Sequence, residues 1–129
     1  MDNQTISLTT AEWSVMECLW ERSPLTGREA AEQLKQKMGW TRSTTLTLLR
    51  RLEDKGAIAG DSEGSLKTFR PLLQRDDAAL RETEALLERV YHGSLSLMVS
   101  AMTRKQALSQ REIDELYAIL REMEADRDG

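Results

Sequence analysis

Three short stretches fix where helices begin. "LTTAEW", "LTGREA" and "LSQREI" each place a hydroxyl residue, two spacers and a glutamate ahead of an apolar pattern. The hydroxyl accepts the amide of the third helical residue, and the glutamate carboxylate reaches back to the cap residue's own amide. Two of the unpaired donors of a helix start are met at once. Thr9 with Glu12, Thr26 with Glu29 and Ser109 with Glu112 therefore read as helix starts. Leu8 with Trp13, and Leu108 with Ile113, have the spacing of the apolar staple that fixes the chain's angle of entry.

The rest of the punctuation follows. A first helix spans about 10–22, with Trp13, Met16, Leu19 and Trp20 on its apolar face, and Ser23-Pro24 ends it because the residue before proline is driven from helical geometry. A second runs from the Thr26 cap to about Lys37, with Ala30, Ala31 and Leu34 as a small-residue face, and Gly39 closes it. A third starts at Thr41 or Arg42 and runs to about Lys55, with Gly56 in the C-terminal cap position. Ile58, then the run around Leu66, Thr68, Phe69 and Arg70, has strand character on either side of the turn-forming "GDSEG". From Asp76 the chain is helical again, with a break at "HGS", a stripe through Leu95, Met98, Val99 and Met102, and a last helix at about 110–125. "EADRDG" is expected to fray.

Three helices, a two-stranded hairpin and further helices describe a mainly α chain: a winged helix-turn-helix followed by C-terminal dimerisation helices. The expected division is 1–74 for the winged-helix domain and 75–129 for the helical dimerisation domain.

The third helix carries the chemistry. At 100° per residue Thr45, Leu48, Leu49 and Leu52 share the core face, leaving Ser43, Thr44, Leu46, Thr47, Arg50 and Arg51 outward. Short hydroxyls let a backbone approach base edges, and threonine methyls can meet thymine methyls. Arginines take phosphates or a guanine edge. Arg42, Ser43, Thr44, Thr47, Arg50 and Arg51 are the candidate DNA contacts, with Lys67 on the wing and Arg70 as a weaker second. A solvated face with Thr41 as a simple cap is the alternative, and the wing tip, with Asp61 and Glu63, could be purely structural.

Charge supports the groove reading by its placement. The chain is net −4, yet residues 1–75 hold 11 Lys and Arg against 10 Asp and Glu, while residues 76–129 hold 7 against 12. Residues 35–56 carry six basic groups against Glu53 and Asp54. A basic reading head on an acidic assembly tail fits that asymmetry, although ordinary solvated helices would also produce it.

Leu80, Leu87, Tyr91, Leu95, Met98 and Met102, with Ile113, Leu116 and Leu120, form more apolar stripe than one short helix pair can hide. A homodimer covers it and presents two reading helices to a palindromic site. Folding back on the chain's own head is the alternative.

No enzyme is expected. His92 stands alone in "VYHGS" and suits a helix end or interface. Cys18 lies in an amphipathic helix and reads as a half-buried structural thiol. No Cys/His cluster for metal and no phosphate-cradling glycine loop is present, so no cofactor is expected. No apolar run approaches the ~18 residues of a membrane span. The N-terminus has no secretory signal, and with one cysteine a reducing cytoplasm is the expected compartment.

Over about residues 6–125 the chain resembles the penicillinase and methicillin-resistance repressors and their copper-responsive relatives. The segments "LTTAEWSVMECLW", "GWTRSTTLTLLRRLEDKGAI", "SEGSLKTFRP" and "VYHGSLSLMVSAM…LSQREIDELYAIL" carry the resemblance in order. It implies a dimeric winged-helix repressor on a palindromic operator, with Ser43, Thr44, Thr47 and Arg51 approaching DNA. Thr44, Thr47 and Arg51 match the family pattern, whereas Ser43 and Ser65 stand where basic residues occur in relatives. One family route of induction is proteolysis between an Asn and a Phe in the dimerisation helices. The matching dipeptide here is Ala101-Met102, which does not carry that cleavage chemistry, though a regulatory protease stays a candidate partner. The other route needs a C-terminal Cys-x-Cys pair for copper, and "REMEADRDG" has no cysteine. A winged-helix protein-interaction module without DNA binding is the competing functional reading.

Overall fold

The computed structural model describes residues 6–128. Helix α1 (Thr10–Glu21), strand β1 (Leu25–Thr26), α2 (Gly27–Met38), α3 (Arg42–Lys55), β2 (Ile58–Glu63) and β3 (Leu66–Pro71) are followed by α4 (Arg75–Tyr91), α5 (Leu95–Lys105) and α6 (Gln110–Asp128). Contacts divide the chain between Thr83 and Glu84, so α4 begins in the first unit and ends in the second.

The first two capping boxes form in full. The Glu12 amide donates to Thr9 Oγ1 at 3.1 Å and the Thr9 amide to Glu12 Oε1 at 2.8 Å; Thr26 and Glu29 repeat this at 3.1 and 2.9 Å. The pair at α6 forms by half. The Glu112 amide donates to Ser109 Oγ at 3.1 Å, but the returning carboxylate meets the serine hydroxyl rather than its amide. Gly39 and Gly56, at φ of 72° and 80°, close α2 and α3 in the left-handed conformation that a side chain disfavours.

The sheet has three strands in the order β1-β3-β2, one more than the expected hairpin. Leu25 pairs with Phe69 and Thr26 with Thr68. Two residues are too few for any alternation to show, and Thr26 also caps α2. In the wing Glu63 pairs with Leu66, leaving a Gly64-Ser65 turn in which Gly64 takes φ 63°.

The core of the first unit joins Val15, Met16, Cys18 and Leu19 of α1 to Leu34 of α2, Leu48, Leu49 and Leu52 of α3, and Ile58, Phe69 and Leu73. Cys18 is fully buried rather than half-buried, and burial pushes its thiol up. Both features suit a structural thiol. Trp13 and Trp20, expected on the apolar face, are only partly buried at its edge. Glu12 is a buried carboxylate that amphipathic spacing did not flag; Lys55 donates to it at 2.6 Å and to the Ser7 carbonyl at 2.8 Å, clasping the end of α3 to the start of α1.

In the second unit no side chain of α5 or α6 is buried. His92 (φ 53°) and Gly93 (φ 81°) turn the chain after α4, and Ser94 caps α5 by accepting the Leu97 amide at 3.1 Å. Helix α6 continues to Asp128 where fraying was expected, because no glycine or proline interrupts it; Gly129 lies outside the described residues. Among the described residues no helix is long and apolar enough to cross a membrane.

Candidate nucleic-acid interface

Helix α3 separates its two faces cleanly. Thr45, Leu48, Leu49 and Leu52 are buried, whereas Arg42, Ser43, Thr44, Leu46, Thr47, Arg50 and Arg51 are exposed. Thr41 is the cap: its Oγ1 accepts the Thr44 amide at 3.3 Å and lies 3.1 Å from the Thr44 hydroxyl. The Thr44 hydroxyl is thus held at the helix start beside the free amides of the first turn, a setting that favours an anion.

Among the described residues, Arg42, Arg50 and Arg51 form no ion pair. Three cations at the end of α3 and on the wing are matched. Lys55 meets Glu12, Lys67 meets Glu53 at 3.1 Å, and Arg70 meets Asp61 at 2.8 Å. Among the described residues three uncommitted guanidinium groups thus stand on the outward face of α3, where a polyanion can take them without breaking an ion pair.

The wing is less open than the sequence implied. Lys67 Nζ lies between the Glu53 carboxylate and the Phe69 ring, 5.2 Å from its centroid. The bridge crosses directly over Gly60, where an added Cβ would fall 2.5 Å from Lys67 Cε and 2.7 Å from Glu53 Oε2. A side chain there would have to push the flexible ends of Lys67 and Glu53 aside.

The sequence-based contact set leaves out Arg28, and it counts Lys35 only towards the local basic charge. Both lie on α2 and line one cleft of about 460 Å³ with Arg42, Thr41 and Trp40. Their spacing of seven residues places them on one helix face, which was the available signal. Leu46, expected to face outward, is an apolar side chain standing 39% exposed amid the polar row.

The penicillinase repressor family model matches residues 8–122, nearly the whole chain. The chain belongs to the penicillinase repressor family. It is 30% identical over 120 residues to the methicillin resistance regulatory protein MecI of Staphylococcus aureus (strain N315), covering 93% of this chain and 98% of MecI. It is 33% identical over 115 residues to the penicillinase repressor of Bacillus licheniformis, covering 89% and 90%. A solution structure of B. licheniformis BlaI, a monomeric form in complex with the blaP half-operator, superposes with a TM-score of 0.51 at 29% identity, covering 56% of this chain and 88% of that one. The family is one of transcriptional repressors, not enzymes. The winged-helix architecture expected from the sequence is the one its relatives share.

Proposed function

We propose that this penicillinase repressor family member is a sequence-specific DNA-binding transcriptional repressor acting as a homodimer on a palindromic operator. The observation that carries the reading is the outward face of α3: hydroxyls at its N-terminal end, three arginines without an ion pair among the described residues, and no carboxylate before Glu53. The half-operator bound by the BlaI relative supports it. Thr44, Thr47 and Arg51 read or position the major groove, Ser43 lies at its edge, and Arg42 and Arg50 take phosphates. Lys67 joins them once it leaves Glu53. The proposed compartment is the cytoplasm.

Residues 1–74 form the reading domain in this proposal and 75–129 the dimerisation domain. Leu80, Leu95, Met102, Leu116 and Leu120 are exposed in the single chain, and Leu87, Tyr91, Met98 and Ile113 are half-buried. Leu86, Val90, Leu97, Ile119 and Met123 are exposed as well. Exposed large apolar side chains in this number suit an interaction site, and a second copy is the occupant that also pairs two reading helices. A regulatory protease is the remaining proposed partner. Ala101 and Met102 lie inside α5, so cutting there requires that helix to open first.

In-vitro selection of bound DNA followed by footprinting tests the class and the half-site spacing together. Arg51→Ala should weaken the selected operator by roughly 1–3 kcal/mol and relax one position, whereas Arg50→Ala should weaken all duplexes alike and lower the salt slope by about one unit. Parent-like binding by both variants would remove α3 from the groove. Absence of salt-sensitive binding to any duplex would favour the protein-interaction module instead.

A further inference from the structure

Arg75, the first residue of α4, is held by α1. Its Nη2 and Nε lie 2.9 and 3.1 Å from Glu17 Oε1, and the same oxygen accepts the Trp13 indole N–H at 3.0 Å. The guanidinium also spans two indoles, with its carbon 5.8 Å from the Trp13 ring and 6.0 Å from the Trp20 ring. Those rings meet edge to face at 5.1 Å. The Trp20 indole N–H donates to the Leu73 carbonyl at 2.8 Å, two residues before the helix starts. One turn later Ala78 is buried. Two of the chain's three tryptophans are thus committed to the root of a single helix.

This cluster is a poor source of core stability. Arg75 and Glu17 are each about half exposed, and an exposed ion pair adds little. Nor is it part of the reading face, since none of its side chains belongs to α3 or the wing. What it controls is the first turn of the helix that leaves the head. A dimeric reader gains from its second head only when the two are held at the separation of the half-sites.

Resting on the DNA-binding reading above, we infer that the Arg75–Glu17–Trp13–Trp20 cluster is a clamp that fixes the root of α4 and so sets the half-site spacing the dimer accepts. Arg75 is a positioning residue, not a DNA contact. Its guanidinium is occupied by Glu17 and the indoles, unlike those of Arg42, Arg50 and Arg51.

The test uses the full chain and variants Arg75→Ala and Glu17→Gln, the second keeping an acceptor for Trp13. Three duplexes are titrated: the selected palindrome, the same palindrome with one base pair inserted at its centre, and a single half-site. The clamp predicts unchanged half-site affinity and a roughly 2- to 30-fold loss on the palindrome. It also predicts a smaller penalty for the insertion than the parent shows. Equal losses on half-site and palindrome would mean head damage or a direct phosphate contact, and overturn the inference. Parent-like behaviour on all three duplexes overturns it too. If the parent binds no duplex, the DNA-binding reading itself fails and takes the clamp with it.

Discussion

Thr45 is the inward-facing hydroxyl of α3, fully buried, and its Oγ1 has no hydrogen-bond partner among the described residues. A buried hydroxyl without a partner costs about 1–3 kcal/mol of desolvation, and valine has nearly the same shape. Thr45→Val should therefore raise stability by about 1 kcal/mol in denaturant unfolding while leaving DNA affinity unchanged; a destabilised variant would show that the hydroxyl is satisfied in solution. Glu12 presents the opposite case. Burial opposes its ionisation, but Lys55 and the Thr9 amide outweigh burial and hold its carboxyl below the ordinary 4.5. A lowered carboxylate contributes stability that is complete above its unfolded pKa and lost as pH falls through its folded one. The head should weaken on acidification below about pH 4.5, and Glu12→Gln should flatten that dependence in thermal melts. Lys55→Met, which leaves the carboxylate buried and unpaired, should cost about 2 kcal/mol, below the usual figure for a broken buried pair because Lys55 is partly exposed. The sequence showed Glu12 only as half of a capping box. Its second role depends on a lysine far along the chain, and periodicity carries no information about such a pairing.

Among the elements, α3 and the wing are coupled through Glu53 and Lys67. Glu53→Gln should release Lys67 for phosphate, raising affinity for unrelated duplexes and steepening the salt slope by about one unit. Gly60→Ala should act in the same direction, because its methyl needs the space the bridge occupies. Fluorescence titration of a random-sequence duplex at several salt concentrations checks both, and a slope unchanged in both would leave Lys67 without a role on DNA. The starts of α1, α2 and α3 were legible because caps are local: Thr9, Thr26 and Thr41 each act on an amide three residues away. The inward row of α3 was legible for the same reason, since 3.6-residue periodicity placed Thr45, Leu48, Leu49 and Leu52 on one side. Strand β1 was not. Leu25 and Thr26 become a strand only because Phe69 and Thr68 arrive beside them from far along the chain. The ion pairs that occupy the wing's cations are hidden in the sequence for the same reason.

For the molecule as a whole, the two units differ in kind. The first has a continuous interior from Ile6 to Ala78, whereas α5 and α6 contribute no buried side chain. On the paired reading, each apolar position of the second unit counts twice across a two-fold axis. Leu120→Lys should therefore raise the dimer dissociation constant roughly 100-fold or more, from about 1.5–3 kcal/mol per buried leucine in two copies. Sedimentation velocity across a dilution series reads this directly, and an unchanged series would place Leu120 outside the contact. Half-site affinity should survive in the same variant, because the reading face and its supporting core lie in the other unit. On the same reading, the helices without an interior also set how repression responds to supply. When a folding unit is completed only by its twin, the number of operator-competent particles at low abundance grows as the square of the number of chains. Halving the chains then removes about three-quarters of the readers by mass action, so modest changes in synthesis or turnover become sharp changes in occupancy.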